Sequence, residues 1–170
     1  RLIILLILPL ALLAQNTLDE YGRKQGEWTK EYPSGELRYE GQFKNDVPVG
    51  IFKHYDNKGN ITANLEYFNE GSSVAARLFH INGKIQAVGL YSNEQKDSLW
   101  RYYNEKEQLV SEETYRSGKL HGPSRTFYKN GNVAERFIYK EGLKDGVWKR
   151  FYEDGQEMVK CLYINNQLNG

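Results

Sequence analysis

The 170-residue sequence contains one cysteine and no excess of either charge, and each shortage excludes a class of protein. Cys161 alone can form neither an intrachain disulfide nor a cysteine-based metal site. The 23 Lys and Arg residues nearly balance the 22 Asp and Glu residues, which argues against a general nucleic-acid binder because such proteins need excess positive charge. Long runs of one charge are missing as well. The 3 Trp, 13 Tyr and 7 Phe residues argue against disorder.

The only long apolar run, in residues 2–14, lies at the start of the chain. A bilayer span needs about 20 apolar residues, so this run is too short, but it has the length of the apolar region of a secretory signal peptide. We therefore expect residues 1–14 to be a cleaved signal peptide, residues 15–25 a lead-in, and the protein secreted, periplasmic or attached to the cell envelope. A buried core segment is the alternative. Because the sequence begins with Arg, we expect a fragment without its first Met, and because nothing in the sequence caps the last predicted strand, we expect further C-terminal repeats in the natural protein.

A repeat of 24 residues fills the rest of the chain. Trp28, Trp100 and Trp148 are 72 and 48 residues apart, and both spacings are multiples of 24. With the register started at Gly26, residues 26–170 contain six copies without insertions: 26–49, 50–73, 74–97, 98–121, 122–145 and 146–169. We count positions within a copy from zero. Position 17 is aromatic in every copy: Phe43, Tyr67, Tyr91, Tyr115, Tyr139 and Tyr163. Position nine is glycine in all copies but one: Gly35, Gly59, Gly83, Gly131 and Gly155.

Each copy is predicted to be a β-hairpin. Aromatic residues at positions two and five suit a strand, and the glycine at position nine marks the turn. Asn82-Gly83, Asn130-Gly131 and Asp154-Gly155 are typical of two-residue turns in which both residues have positive φ. Strand parity places positions 11 and 17 on one face, whereas positions two and five fall on opposite faces unless a bulge turns one of them. The predicted fold is all-β: an elongated, twisted antiparallel meander of about six hairpins in one open, single-layer sheet.

Two copies depart from this pattern. Val74 and Ala76 replace the glycine at position zero and the aromatic residue at position two in the third copy. Ser98 and Glu107 replace two glycines in the fourth. We therefore expect an irregularity near residues 68–83.

The units resemble the MORN repeat in the variant common in bacterial proteins. The matching text is Gly-x-Trp-x-x-Phe/Tyr-Tyr-x-x-Gly-x-Leu…Tyr-x-x-Gly, and the best copy lies in residues 146–155. The resemblance covers residues 22–170. It implies an elongated sheet of successive hairpins in which each repeat touches only its neighbours. It also implies a non-catalytic protein, because members of the family act as protein-interaction scaffolds, some bind phospholipids, and bacterial variants are often labelled antitoxins.

The sequence predicts no catalytic residue, no cofactor site and no metal site. His54, His80 and His121 lack the spacing of metal ligands, and phosphate-binding or dinucleotide-binding glycine motifs do not occur. Residues 116–150 hold nine basic groups against three acids, which makes a candidate patch for an anionic partner. An ordinary solvated surface is the alternative. The basic residues are Arg116, Lys119, Arg125, Lys129, Arg136, Lys140, Lys144, Lys149 and Arg150.

Three functions remain open at this point. The first is a non-enzymatic secreted or envelope scaffold that binds another protein through a face or edge of its sheet. The second is an antitoxin or immunity protein. The third is a protein that binds an anionic membrane surface through its basic repeats. We expect a protein partner and no nucleic acid, and the exposed sheet edges allow an oligomer.

Overall fold

The fold is a single antiparallel sheet of 15 strands, and a computed structural model describes it for residues 16–169. The expected signal peptide, residues 1–14, lies outside the described residues. Strands pair with their sequence neighbours from β1 to β15, except that the short β12 pairs with β11 beside β13. The predicted all-β meander of hairpins is therefore confirmed. The strands are β1 (Thr17–Leu18), β2 (Lys24–Glu31), β3 (Leu37–Lys44), β4 (Val47–Tyr55), β5 (Ile61–Phe68), β6 (Ser73–Phe79), β7 (Ile85–Ser92), β8 (Gln95–Tyr103), β9 (Leu109–Arg116), β10 (Lys119–Phe127), β11 (Val133–Lys140), β12 (Leu143–Lys144), β13 (Gly146–Phe151), β14 (Glu157–Ile164) and β15 (Gln167–Leu168).

The turn at position nine differs from the predicted type. In the fifth copy the Gly131 amide donates to the Tyr128 carbonyl at 3.0 Å, and only Gly131 of the Asn130-Gly131 pair has positive φ, at 88°. The Asn130 side chain instead accepts a hydrogen bond from the Asn132 amide at 2.9 Å. The prediction that both residues of such pairs have positive φ is wrong, because an asparagine that bonds its own turn keeps ordinary backbone angles.

Turns with two positive-φ residues occur between the copies. Asn45 and Asp46 have φ of 52° and 66°, and Asn93 and Glu94 have 47° and 63°. Such pairs match the right-handed twist of the strands they join. The connections that the sequence pattern treated as polar links are therefore tight hairpin turns themselves, and the sheet continues through them.

A bulge follows most of these tight turns. Between β3 and β4, Glu40 pairs with Lys53 and Gln42 with Val49, so Gly41 faces three residues of β4. The residue at position zero lies in this bulge with positive φ, as in Gly50 at 68°. Ser98 holds the same conformation at 59° in the fourth copy although it has a side chain. The bulge therefore explains the glycine at position zero.

The third copy has no such bulge. The pairing of β5 with β6 is continuous from Ala63–Leu78 to Phe68–Ser73, and Tyr67 pairs with Val74. The extra residues lie in the longer turn at residues 69–72. The irregularity expected near residues 68–83 thus lies in the turn, while the pairing of β6 with β7 has the same shift, between Leu78 and Phe79, as the other hairpins.

A second register shift changes the face of position 11, whereas positions two and five lie on opposite faces as strand parity predicts. The pairing shifts between His54 and Tyr55, and the Tyr55 hydroxyl donates to Glu40 at 2.8 Å. Glu40 lies on the side of β3 opposite Tyr39, and Tyr39 contacts His54. Position five is therefore on the face opposite position two. Ile61, at position 11, pairs with Tyr55, so positions 11 and 17 do not share a face as strand parity predicted.

Burial is concentrated where a large ring lies over a glycine. Trp100 is 0% exposed, and it packs with Ala76 and Ala87 at the centre of the sheet. A Cβ at Gly89 would overlap the Trp100 indole, and one at Gly41 would overlap the Phe52 ring. The rings therefore pack onto the backbone of the neighbouring strand instead of onto a second layer.

The bulge conformation makes a prediction for Ser98. Ser98→Gly is expected to raise the free energy of unfolding by about 0.5–1 kcal/mol, because glycine adopts positive φ without the clash of a Cβ. Gly131→Val is expected to lower it by about 1–2 kcal/mol for the reverse reason, since no other atom lies within 4 Å of the added Cβ. Urea denaturation measures both changes.

Ser73→Gly is the matched control, because Ser73 lies in β6 without positive φ. Glycine in a strand interior should reduce stability there. Equal effects of the two serine substitutions would contradict this account of the bulge.

Candidate functional site

One face of the sheet, here the ring face, carries the tryptophans and the position-17 aromatics. Ring centroids lie 5.9 Å apart for Trp28–Phe43, 4.9 Å for Tyr91–Trp100 and 6.4 Å for Trp148–Tyr163. The other position-17 rings also pack on this face: Tyr67 lies against Phe52, Tyr115 against the Trp100 cluster, and Tyr139 against Phe137. The aromatic residues among the predicted structural positions thus share one face of the sheet, in groups around Phe52, Trp100 and Trp148.

Lysine side chains lie over these rings in three places. The Lys96 ammonium lies 4.6 Å from the centroid of Trp100, and the Lys24 ammonium lies 5.0 Å from that of Trp28. The Lys144 ammonium lies 4.4 Å from the Phe137 ring and 5.3 Å from the Tyr163 ring. Each lysine precedes a tryptophan by four residues. The sequence contains this Lys–Trp spacing, but no contact between lysines and rings was predicted from it.

The opposite face, here the basic face, carries a row of cations at position three. The row consists of Lys53, Arg77, Arg101, Arg125 and Lys149, one from each of five successive copies. Each lies between two position-14 residues of the adjacent strands: Arg125 pairs with both Glu112 and Arg136. Since neighbouring strands are about 4.8 Å apart, the row runs straight across the sheet.

Only three residues of the predicted anionic-partner patch lie together, in this row of cations or directly beside it. Arg125, Arg136 and Lys149 follow one another by cross-strand pairing, and Lys160 continues them. Lys160 was not part of the predicted patch, because the patch was taken from a sequence window, residues 116–150, that ends before it.

The other members of the predicted patch lie elsewhere. Lys144 and Arg150 are on the ring face, where Arg150 pairs with Glu135 at 3.8 Å. Arg116 and Lys119 face each other beside a tight turn, and Lys140 ends β11. Lys129 lies in the turn after β10. The nine cations therefore do not form one surface.

Two acids outside residues 116–150 reduce the net positive charge around the predicted patch. Glu112 pairs with Arg101 at 3.0 Å and with Arg125 at 3.5 Å, and Glu157 pairs with Lys149 at 2.6 Å. Neither acid belongs to residues 116–150. Exposed ion pairs contribute little to stability, so we interpret these pairs as a balance of charge across the face.

Apolar side chains form a second row beside the cations. Val147 pairs with Leu162 and Pro123 with Ile138, on the same side of the sheet as Lys149 and Arg125. The exposed fraction is 41% for Ile138, 39% for Val147 and 38% for Leu162. Leu90 and Leu99 extend the row toward the middle of the sheet. Together the two rows make the basic face amphipathic.

Burial raises the pKa of several tyrosines in the sheet. On the ring face it raises the pKa of Tyr67, Tyr91, Tyr102, Tyr115 and Tyr139. On the basic face, burial together with the hydrogen bond to Glu40 raises the pKa of Tyr55 to about 12.

Comparison with known families identifies the repeat. The MORN repeat variant matches residues 24–45, 120–141 and 144–165, and each match contains one hairpin, β2–β3, β10–β11 or β13–β14. This is a MORN-repeat chain. MORN repeats are in general non-catalytic modules that bind proteins or membranes, and the chain has the architecture of such a module.

Other comparisons add little to the MORN assignment. None of the curated proteins matches the sequence. Among solved structures, the crystal structure of TarM is similar over 69% of this chain at 15% identity and a TM-score of 0.40. The S. aureus TarM mutant in complex with fondaparinux, alpha-GlcNAc-glycerol and UDP is similar over 56% at 14% identity and a TM-score of 0.42. This chain spans about a fifth of each TarM chain, 20% and 19%. Likeness at this level carries no argument about function.

Membrane-spanning helices and metal-binding clusters are both absent from the part of the chain that the structure describes. Within residues 16–169, no helix is long and apolar enough to cross a membrane. In the same range, no group of three or more His, Cys, Asp or Glu side chains is arranged to hold a metal ion.

The raised pKa of Tyr55 predicts a loss of stability at high pH. Between the ordinary value of 10.0 and about 12, the folded protein keeps a proton that the unfolded chain releases. The stabilisation from this group is therefore complete below pH 10 and is lost as the pH rises through about 12. Tyr55→Phe should make the decline of the unfolding free energy between pH 10 and 12 less steep, as measured by urea denaturation at several pH values. An unchanged decline would contradict the assignment.

Proposed function

We propose that this protein is a non-enzymatic scaffold that binds a protein partner across its basic face. The observation that carries the proposal is the exposed apolar row beside the row of cations. Large exposed apolar patches on soluble proteins often mark interaction sites. The ring face uses its own aromatic side chains to cover itself, whereas the basic face leaves Ile138, Val147 and Leu162 in solvent.

The charge pattern supports a partner with acidic groups near an apolar centre. Arg125, Arg136 and Lys160 are exposed and project beside the apolar row. Complementary charges at the rim of an interface steer association and fix its register, while the apolar centre supplies most of the affinity. The general non-catalytic character of MORN repeats supports the same function.

Site-specific photo-crosslinking in intact cells tests this function. A photoreactive residue at Leu99 or Ile138 should give an adduct with one protein of discrete mass, because these positions lie in the apolar row. The same residue at Ile81, which is 70% exposed in a turn, is the matched control and should give no such adduct. Absence of an adduct at both row positions, or equal adducts at all three, would overturn the proposal.

An anionic membrane surface is a second candidate. Four cations in consecutive pairing, Arg125, Arg136, Lys149 and Lys160, favour it, since each basic residue near such a surface contributes about 1 kcal/mol. Adducts with phospholipid instead of protein at Ile138 would support this candidate over the first.

A location outside the cytoplasm remains part of our proposal and is supported only by the apolar residues 2–14. Fractionation of the same cells tests it, and recovery of the protein from the cytoplasm alone would contradict it. An antitoxin or immunity role stays a prediction from the resemblance, because no particular contact in the described sheet favours it.

A further inference from the structure

An open recess lies on the ring face where the third copy departs from the repeat. It has a volume of about 420 Å³. Its apolar lining includes Leu65, Tyr67, Val74 and Tyr91 together with Val47 and Pro48, and three acids, Asp46, Glu70 and Glu94, also line it. The recess therefore combines an apolar, aromatic floor with negative charge at its edge.

Two substitutions in the third copy make the recess. Ala76 takes the position that holds Trp28, Trp100 or Trp148 in other copies, which removes a large ring from the face. Without the bulge, Val74 pairs with Tyr67 in the way that Lys96 pairs with Tyr91. A short apolar side chain thus stands where another copy places a lysine.

Neither tyrosine ring of the recess has a cation of the described residues over its face, although each contacts a ring group that has one elsewhere. Lysines lie over the rings around Trp28, over Trp100, and over Phe137 and Tyr163. Within residues 16–169, no Lys or Arg lies over Tyr67 or Tyr91. Aromatic rings on this face therefore bind lysine ammonium groups elsewhere in the sheet, and no Lys or Arg of the described residues occupies the position over Tyr67 and Tyr91.

The acids at the edge come from three successive turns, at residues 45–46, 69–72 and 93–94. Asp46, Glu70 and Glu94 occupy the same position of their copies and are all exposed. In the described sheet, no basic side chain forms an ion pair with Glu70 or Glu94. The Glu94 carboxylate is close enough to Tyr67 to add to the effect of burial in raising the pKa of that phenol. The negative charge thus acts on the aromatic floor itself.

We propose that this recess binds a lysine or arginine side chain of a protein partner. The alkyl stem would lie over Leu65 and Val74, because such stems pack along apolar surface while the charged end stays at the edge. The charge would meet the faces of Tyr67 and Tyr91 and the carboxylates of Glu70 and Glu94. A carboxylate ligand would be repelled by the same acids. This site lies on the face opposite the one in the proposed function and does not depend on it.

A short peptide tests the proposal. An acetylated and amidated pentapeptide, Gly-Gly-Lys-Gly-Gly, should shift the NMR signals of the Tyr67 and Tyr91 rings, whereas its norleucine analogue, which has no charge, should bind at least about fivefold more weakly. Glu70→Gln with Glu94→Gln should weaken binding of the lysine peptide by about fivefold or more. Glu105→Gln with Glu153→Gln is the control, because it removes the same charge from turns at position seven of two other copies.

Val74→Lys supplies a second, independent variant. It places a lysine opposite Tyr67, as Lys96 lies opposite Tyr91, so it should fill the recess and abolish peptide binding while the thermal unfolding transition stays cooperative. Failure of the peptide to bind the natural chain, equal binding of the norleucine analogue, or equal losses in the Glu70/Glu94 variant and its control would each overturn the proposal. Adduct formation at Leu99 on the basic face should be unchanged by Val74→Lys, so failure of one proposal is distinguishable from failure of the other.

Discussion

A sheet of one layer has to bury its aromatic rings against its own backbone, and this constraint shapes the molecule. Trp100 is fully buried although no second sheet or helix covers it in the described chain. Its ring lies over Gly89, where a Cβ would overlap it. Ala76, the small residue at position two of the third copy, pairs with the same Gly89 and packs against Trp100. The burial of this ring therefore depends on small residues in the strands beside it.

The same constraint separates the two faces in function. The ring face is occupied by its own aromatic side chains and by the lysines that lie over them, so little apolar surface remains there for a partner. The basic face leaves Ile138, Val147 and Leu162 exposed beside Arg125 and its neighbours. The recess at Val74 is the place where the ring face is incomplete, because Ala76 replaces the tryptophan and Ser72, four residues earlier, replaces the lysine.

The sequence allowed prediction of the period, the hairpins and the aromatic array because each depends on one residue type at a fixed spacing. The kinds of turn were not predictable in the same way, because Asn130-Gly131 and Asn45-Asp46 both suit a two-residue turn, and only the pairing of the strands distinguishes them. The register shift beside Tyr55 places position 11 on the face opposite position 17, which strand parity cannot foresee.

The candidate site was predicted less well because a window along the chain is not a surface. The window of residues 116–150 combined Arg150 and Lys144, on the ring face, with Arg125 on the basic face. A comparison of position three across the copies would have found Lys53, Arg77 and Arg101 as well. Lys160 and Glu112 lie outside the window but next to it in the sheet, and they change its charge pattern.

A double-mutant cycle at Gly89 and Trp100 tests the central claim, that rings pack onto the backbone of the next strand, most directly. Gly89→Ala should lower the free energy of unfolding by about 1–3 kcal/mol in the natural chain, because the added methyl group overlaps the indole. In a Trp100→Ala background the same change should cost less than about 0.5 kcal/mol, so the two substitutions should be strongly coupled. An equal cost of Gly89→Ala in both backgrounds, measured by urea denaturation, would contradict the account.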